Sequence, residues 1–310
     1  MVDRAAPAPA SSPGDGDESG SPFLQEHFSC SAGALDYKLY VPPGLEGRRA
    51  PLLLMLHGCT QTPDDFARGT RMNQLARQHG YVVAWPQQSA SRNQNRCWNW
   101  FRGSDQQRGQ GEPAVLAALT RHLVERHRLD DHRVFVAGLS AGGAMAAVLA
   151  STHSDVYAAI GVHSGLPVGL ASDVPSAFAA MRTGKGNGGG RAAASATRTV
   201  PAIVFHGDGD KTVHPRNGAG VVAQSLGTAR SDTAKHDVSV EHGIAAGGRR
   251  YTRTQHVHQG RVSVEHWVTH GAPHAWSGGD PAGSYTDPTG PDASAEMLRF
   301  FTMTGDATPK

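Results

Sequence analysis

The chain of 310 residues holds 38% apolar and 18% charged residues, enough to bury one large core. Its 29 Lys and Arg against 27 Asp and Glu leave a formal charge of +2 with no basic run. That argues against a nucleic-acid surface and for a neutral or amphiphilic partner. No apolar segment approaches the about 20 residues that cross a bilayer.

Three cysteines, Cys30, Cys59 and Cys97, are too few for a disulfide scaffold and lack metal-ligand spacing. The 17 histidines are dispersed, with His256-Val257-His258 the nearest approach to a ligand pair, so neither a metal nor another cofactor is expected. Residues 1–27 read as a disordered leader rather than a signal peptide, because no apolar stretch precedes a cleavage pattern. The expected location is therefore the cytoplasm, or outside the cell if an export signal has been trimmed away. One catalytic domain is expected over 28–305, with a short tail over 306–310.

In chain order, residues 35–41 alternate apolar and polar side chains before Pro42-Pro43, the pattern of a half-exposed edge strand. Residues 51–56 are apolar throughout, as a strand covered on both faces requires. One or two helices follow over 63–80, closed by Gly80, and then a second buried strand over 81–86. The stretch 87–110 reads as a long loop rich in Asn, Gln, Trp and Arg, a functional lip rather than a linker.

A helix is expected over 112–128, with Val115, Leu116, Leu119, Leu123 and Val124 at helical spacing. A strand ends at Ala137, a small-residue helix runs over 141–150, and another strand covers 158–163. Order weakens over 165–199, expected to be a mobile cap or loop insertion, with a short helix over 175–181 and the glycine-rich residues 184–190. A buried strand over 200–206 precedes a helix over 217–226, and 227–248 shows little pattern. Residues 251–257 and 261–268 form a strand pair about the turn Gln259-Gly260, placed at the far edge of the sheet. A closing helix over 292–303 puts Ala293, Met297, Phe300 and Phe301 on one face. This alternation of strands and helices predicts an α/β fold, a mostly parallel sheet flanked by helices.

Strand, then Gly138-Leu139-Ser140-Ala141-Gly142, then helix has the form of a nucleophile elbow, in which small neighbours let a strained serine project from the sheet. Ser140 is the expected nucleophile. A serine hydroxyl needs a base and the base needs an orienting acid, and both belong at the carboxyl ends of strands. His274 is the preferred base, with His270 in the same loop as competitor. Asp210 is the preferred acid, with Asp208 as alternative. The amides of Ala141 and Cys59 are the expected oxyanion donors.

The ordered segments Leu56-His57-Gly58-Cys59-Thr60-Gln61, Cys97-Trp98-Asn99-Trp100-Phe101, Gly138 to Gly143, His206 to Val213 and His274 to Gly279 together resemble the polyhydroxybutyrate depolymerase family of esterases, and the likeness continues through Ser284-Tyr285-Thr286-Asp287-Pro288. The resemblance runs from about Phe28 to Thr302. It implies an α/β-hydrolase fold and hydrolysis of poly(3-hydroxybutyrate), 3-hydroxyalkanoate oligomers or similar short-chain esters through an acyl-enzyme. It also supports Ser140, Asp210 and His274 as a triad and Cys59 and Ala141 as oxyanion donors. Feruloyl and acetylxylan esterases share this plan and form the alternative; a non-catalytic binding protein of the same fold would need a broken triad. Lacking a polymer-binding domain, the chain is expected to act on amorphous granules, oligomers or small esters, as a monomer or weak homo-oligomer. Trp98 and Trp276 are expected to touch substrate, with Trp100 structural. Cys59 and Cys97 lie in loops expected to meet, so a disulfide is expected between them.

Overall fold

The computed structural model describes residues 23–45, 47–186, 198–227 and 237–305. Their strands are β1 (Phe23–Cys30), β2 (Gly33–Tyr40), β3 (Leu52–Leu56), β4 (Val82–Gln87), β5 (Val134–Leu139), β6 (Ala159–His163), β7 (Ala202–Gly207), β8 (Asp237–Ile244), β9 (Arg250–His258), β10 (Arg261–Thr269) and the short pair β11 (Trp276–Ser277) and β12 (Thr286–Asp287). The helices are α1 (Pro63–Thr70), α2 (Met72–His79), α3 (Gly111–Arg126), α4 (Ala141–Thr152), α5 (Val174–Thr183), α6 (Arg216–Gly227) and α7 (Ala293–Gly305).

Ten strands form one sheet in the order β1-β2-β4-β3-β5-β6-β7-β10-β9-β8. From β4 to β10 all neighbours are parallel, and antiparallel strands close both sides. This is the mostly parallel, helix-flanked sheet expected of an α/β-hydrolase. The continuous apolar runs follow from it, since alternate residues of one strand serve two cores. Leu52, Leu54, Val136 and Val204 face α3, α4, α5 and α6, while Leu53, Met55, Phe135 and Phe205 face α1, α2 and α7. The stripe anticipated on α7 is fully buried there, and Phe301 stacks on Phe135 at 4.8 Å.

Local signals held where the chemistry of the cap or turn was strong. Gly80 ends α2 at φ 72°, and Gln259 and Gly260 turn the β9–β10 hairpin with φ of 50° and 75°, the doubly positive pair that suits a tight hairpin.

Three expectations about the edges are corrected. The leader boundary at 28 is late, because Phe23 to His27 already pair with β2 in strand β1. The strand at 35–41 is consequently not an edge. At the other side β10 lies inside, parallel to β7, and the edge is β8, within the stretch that looked unpatterned. Both missed strands are largely exposed and are held by backbone pairing, which leaves little hydrophobic period to read. Residues 1–22, 306–310 and 187–197, the last including most of the glycine-rich stretch, lie outside the described residues.

Candidate functional site

The site is assembled at the carboxyl ends of β3, β5, β6 and β7 and in the loop beyond β10. Ser140 follows β5 and opens α4 with φ 57° and ψ −117°, a conformation L-residues rarely adopt. Glycines make that turn possible. A Cβ at Gly142 would lie 2.0 Å from the Leu56 carbonyl oxygen, and one at Gly138 would lie 2.4 Å from the Gly142 carbonyl carbon. The Ser140 amide donates to the His163 carbonyl at 2.8 Å, which ties the elbow to the end of β6.

The structure separates the two Asp and His alternatives into two pairs. His274 Nδ1 bonds Asp210 Oδ2 at 2.6 Å, with Asp210 fully buried and the His274 side chain 11% exposed. His270 Nδ1 bonds Asp208 Oδ2 at 2.8 Å on the surface, with both side chains more than 40% exposed, and its other nitrogen meets Thr252 Oγ1 at 2.9 Å. The inner pair has the shielding a base and its orienting acid need.

Asp210 Oδ1 accepts the amides of Thr212 and Val213, each at 2.8 Å. Burial raises the Asp210 carboxyl, but hydrogen bonds from His206 and His274, the His274 charge and the Val213 amide outweigh it and hold the group well below the usual carboxylate range. It stays an acceptor for Nδ1–H. His274 Nε2 is then the nitrogen left to take a proton.

Around the Cys59 loop, Trp98 Nε1 donates to the His57 carbonyl at 3.2 Å, and the Gln88 amide donates to His57 Nε2 at 3.1 Å. The His57 Nδ1–H therefore donates to the Gly58 carbonyl, 2.7 Å away. Burial pushes the His57 ring down to about 4, so it is neutral at pH 7. Cys59 and Cys97 are joined by a disulfide, and the Thr60 amide donates to the Asn95 carbonyl at 2.7 Å. The Trp-rich loop thus fastens the Cys59 loop by covalent and polar links. It is fixed in turn by buried Glu112, which accepts from Gln88 Nε2, from the Asn99 amide at 2.7 Å and from Asn99 Nδ2 at 2.6 Å. Neither the Cys59 nor the Ala141 amide finds a carbonyl acceptor among the turn and loop hydrogen bonds of the described residues.

The expectation for the tryptophans does not survive their burial. Trp98 and Trp276 are each 1% exposed and spend their indole N–H groups on His57 O and Ser294 Oγ. They frame the loops from within. Trp100, 6% exposed, packs edge-on against Phe101 as the structural reading had it.

Three histidines to which the sequence gave no role organise the site. His57 follows β3, His163 is the last residue of β6 and His206 the penultimate residue of β7, each buried. His163 lies stacked between Phe205 and Trp276, with ring centroids 5.7 and 5.0 Å apart, and its Nε2 accepts the Ser277 amide at 2.9 Å. Burial takes it down to about 3. His206 Nε2 stands 3.4 Å from Asp210 Oδ2 and 2.8 Å from the Val213 carbonyl. The signal available was the recurrence of His at or just beyond the carboxyl end of an apolar run.

Among the described residues no three His, Cys, Asp or Glu side chains gather as metal ligands, and no helix is long and apolar enough to cross a membrane. A cavity of about 760 Å³, lined by Val41, Arg48, Val82, Val124 and Arg128, lies by the amino ends of the strands, away from Ser140.

Residues 35–234 match the family model described as Esterase PHB depolymerase. The chain is 35% identical over 200 residues to poly(3-hydroxyalkanoate) depolymerase C of Paucimonas lemoignei, covering 62% of this chain and 48% of that protein. It is 32% identical over 265 residues to poly(3-hydroxybutyrate) depolymerase of Ralstonia pickettii, covering 80% and 52%. The chain thus spans about half the length of these relatives. Among solved structures, acetyl xylan esterase from Aspergillus awamori shares the fold with a TM-score of 0.65 at 18% identity, over 87% of this chain and 94% of that one. On the family match and these relatives together, the chain belongs to the Esterase PHB depolymerase family and has the α/β-hydrolase fold.

Proposed function

We propose that the protein is a serine carboxylic ester hydrolase acting on poly(3-hydroxybutyrate), 3-hydroxyalkanoate oligomers or similar short-chain esters, with Ser140, His274 and Asp210 as its triad. The observation that carries the reading is the buried Asp210–His274 pair, formed by the loops beyond β7 and β10, in a chain whose β5 ends in a strained serine elbow. His274 Nε2 takes the Ser140 proton as Oγ attacks the ester carbonyl, and the amides of Cys59 and Ala141 receive the developing oxyanion. One such donor is worth about 3 kcal/mol of transition-state stabilisation. The tetrahedral adduct expels the alcohol, which leaves with the proton from His274. Water then enters with the same histidine as base, and the acid is released. Asp210 remains ionised and holds His274 in one tautomer. No step calls for a metal or an organic cofactor.

The substrate class follows the two relatives named as depolymerases. A second reading, a feruloyl-type carbohydrate esterase, is favoured by 30% identity over 141 residues to feruloyl esterase B of Neurospora crassa. Ser140→Ala is expected to lower kcat on p-nitrophenyl butyrate by about 10⁴-fold or more, and retained turnover would refute the triad. Release of 3-hydroxybutyrate from amorphous polymer and from oligomers, measured beside release of ferulate from a feruloyl ester, separates the two substrate classes.

A further inference from the structure

Trp98 and Trp276 are buried, whereas Tyr285 is 47% exposed and bonds both loops of the proposed site. Its carbonyl accepts the Trp276 amide at 2.6 Å, two residues beyond His274. Its phenol oxygen lies 3.4 Å from Thr60 Oγ1, next to Cys59. One residue thus runs from the loop of the proposed base to the loop of the proposed oxyanion donor.

The backbone of Tyr285 is locked while its ring is not. The residue sits at φ 52° and Thr60 at φ 67°, left-handed positions that cost a bulky or branched side chain energy and persist only where neighbours hold them. The neighbours are identifiable. The Ser284 amide donates to Asp65 Oδ1 at 2.9 Å, and Gln61 Nε2 donates to the Ser284 carbonyl at 3.1 Å. Gln61 Oε1 accepts the Gly58 amide at 2.9 Å, so the same residue braces the oxyanion loop. The ring's own tether, 3.4 Å between hydroxyl oxygens, is long for a hydrogen bond and easily exchanged for substrate.

We propose that Tyr285 is the acyl-binding subsite of this enzyme, its ring lying along the alkyl part of a short aliphatic acyl group and favouring such groups over acetyl. The proposal rests on the esterase reading and deepens it by assigning selectivity to one side chain. An aromatic face excludes water from the methylenes it covers, and each covered methylene then adds to binding in proportion to area.

The test is the ratio of kcat/KM for p-nitrophenyl butyrate to that for p-nitrophenyl acetate in the native protein, Tyr285→Phe, Tyr285→Ala and Tyr285→Asn. Two methylenes correspond to about a tenfold ratio, so Ala and Asn are expected to lose about that factor, chiefly through KM on the butyrate. Phe keeps the ring and is expected to stay within about twofold. Asn tolerates a left-handed backbone and carries the test if the Ala variant fails to fold. An unchanged ratio in the ring-deleted variants, or an equal loss in Phe, would overturn the subsite. Failure of the esterase reading is distinguishable, because it is Ser140→Ala retaining turnover of both esters.

Discussion

Buried neutral histidine is the recurrent device at the level of single residues. His57 and His163 each present an unprotonated Nε2 to a backbone amide, Gln88 and Ser277 respectively, so each acts as a fixed acceptor at a strand end. Burial lowers them from 6.5 to about 4 and about 3. A group whose folded value lies below its unfolded value takes up a proton on unfolding at intermediate pH. The stability it represents is complete above about pH 6.5 and is lost as pH falls toward the folded value. Asp210, also lowered, contributes above its ordinary 3.8 and is lost only below that, so it leaves the interval from pH 4 to 7 unaffected. The urea midpoint is therefore expected to fall steadily from pH 7.5 to pH 5, with proton uptake on unfolding in that range, and His163→Gln is expected to flatten the slope. A midpoint independent of pH over that interval would contradict the neutral assignment.

At the level of elements, the elbow depends on close approach of three backbones, β3, β5 and the start of α4. The Leu56 carbonyl occupies the space in which a Gly142 Cβ would stand. That carbonyl belongs to a sheet strand and cannot retreat as a flexible side chain does. Gly142→Ala is expected to cost about 3 kcal/mol or more in chemical denaturation and to remove activity by displacing Ser140. Full stability and turnover in that variant would show that the elbow relaxes by another route. The two loops that face the elbow are held differently. The Cys59 loop is fastened by the disulfide to Cys97 and by His57, whereas the His274 loop is held by Asp210 and by the Ser277 bond to His163.

Across the whole molecule, α7 returns the carboxyl-terminal residues to the sheet and pins β10, the strand that leads into the His274 loop. Glu265, fully buried on β10, accepts from Trp267 Nε1 at 2.7 Å and Gln255 Nε2 at 2.8 Å, and pairs with Arg299 of α7. Removing the arginine leaves a buried carboxylate without its charge partner. Arg299→Met is expected to cost about 3 kcal/mol in stability while leaving KM for short esters unchanged, as checked by denaturation and steady-state kinetics. A large change in KM with no loss of stability would place Arg299 in substrate binding instead.

The division between what was legible and what was not follows from the range of the interactions concerned. Local pattern alone marked the parallel strands β3, β4, β5, β6 and β7, the helices α3 and α4, the turn at Gln259-Gly260 and the elbow at Ser140. Each rests on burial period, cap chemistry or a required positive φ, and all of these are written within a few neighbouring residues. The edge strands β1 and β8 were not legible, since pairing with β2 and β9 holds them with little burial of their own. Sequence order and the family resemblance preferred Asp210 over Asp208 and His274 over His270, but could not show what separates the members of each pair. Tertiary structure separated them into an exposed and a buried pair, because burial depends on which loops pack over which strand ends. The same packing buried Trp98 and Trp276 and left Tyr285 open, a distinction that composition cannot carry.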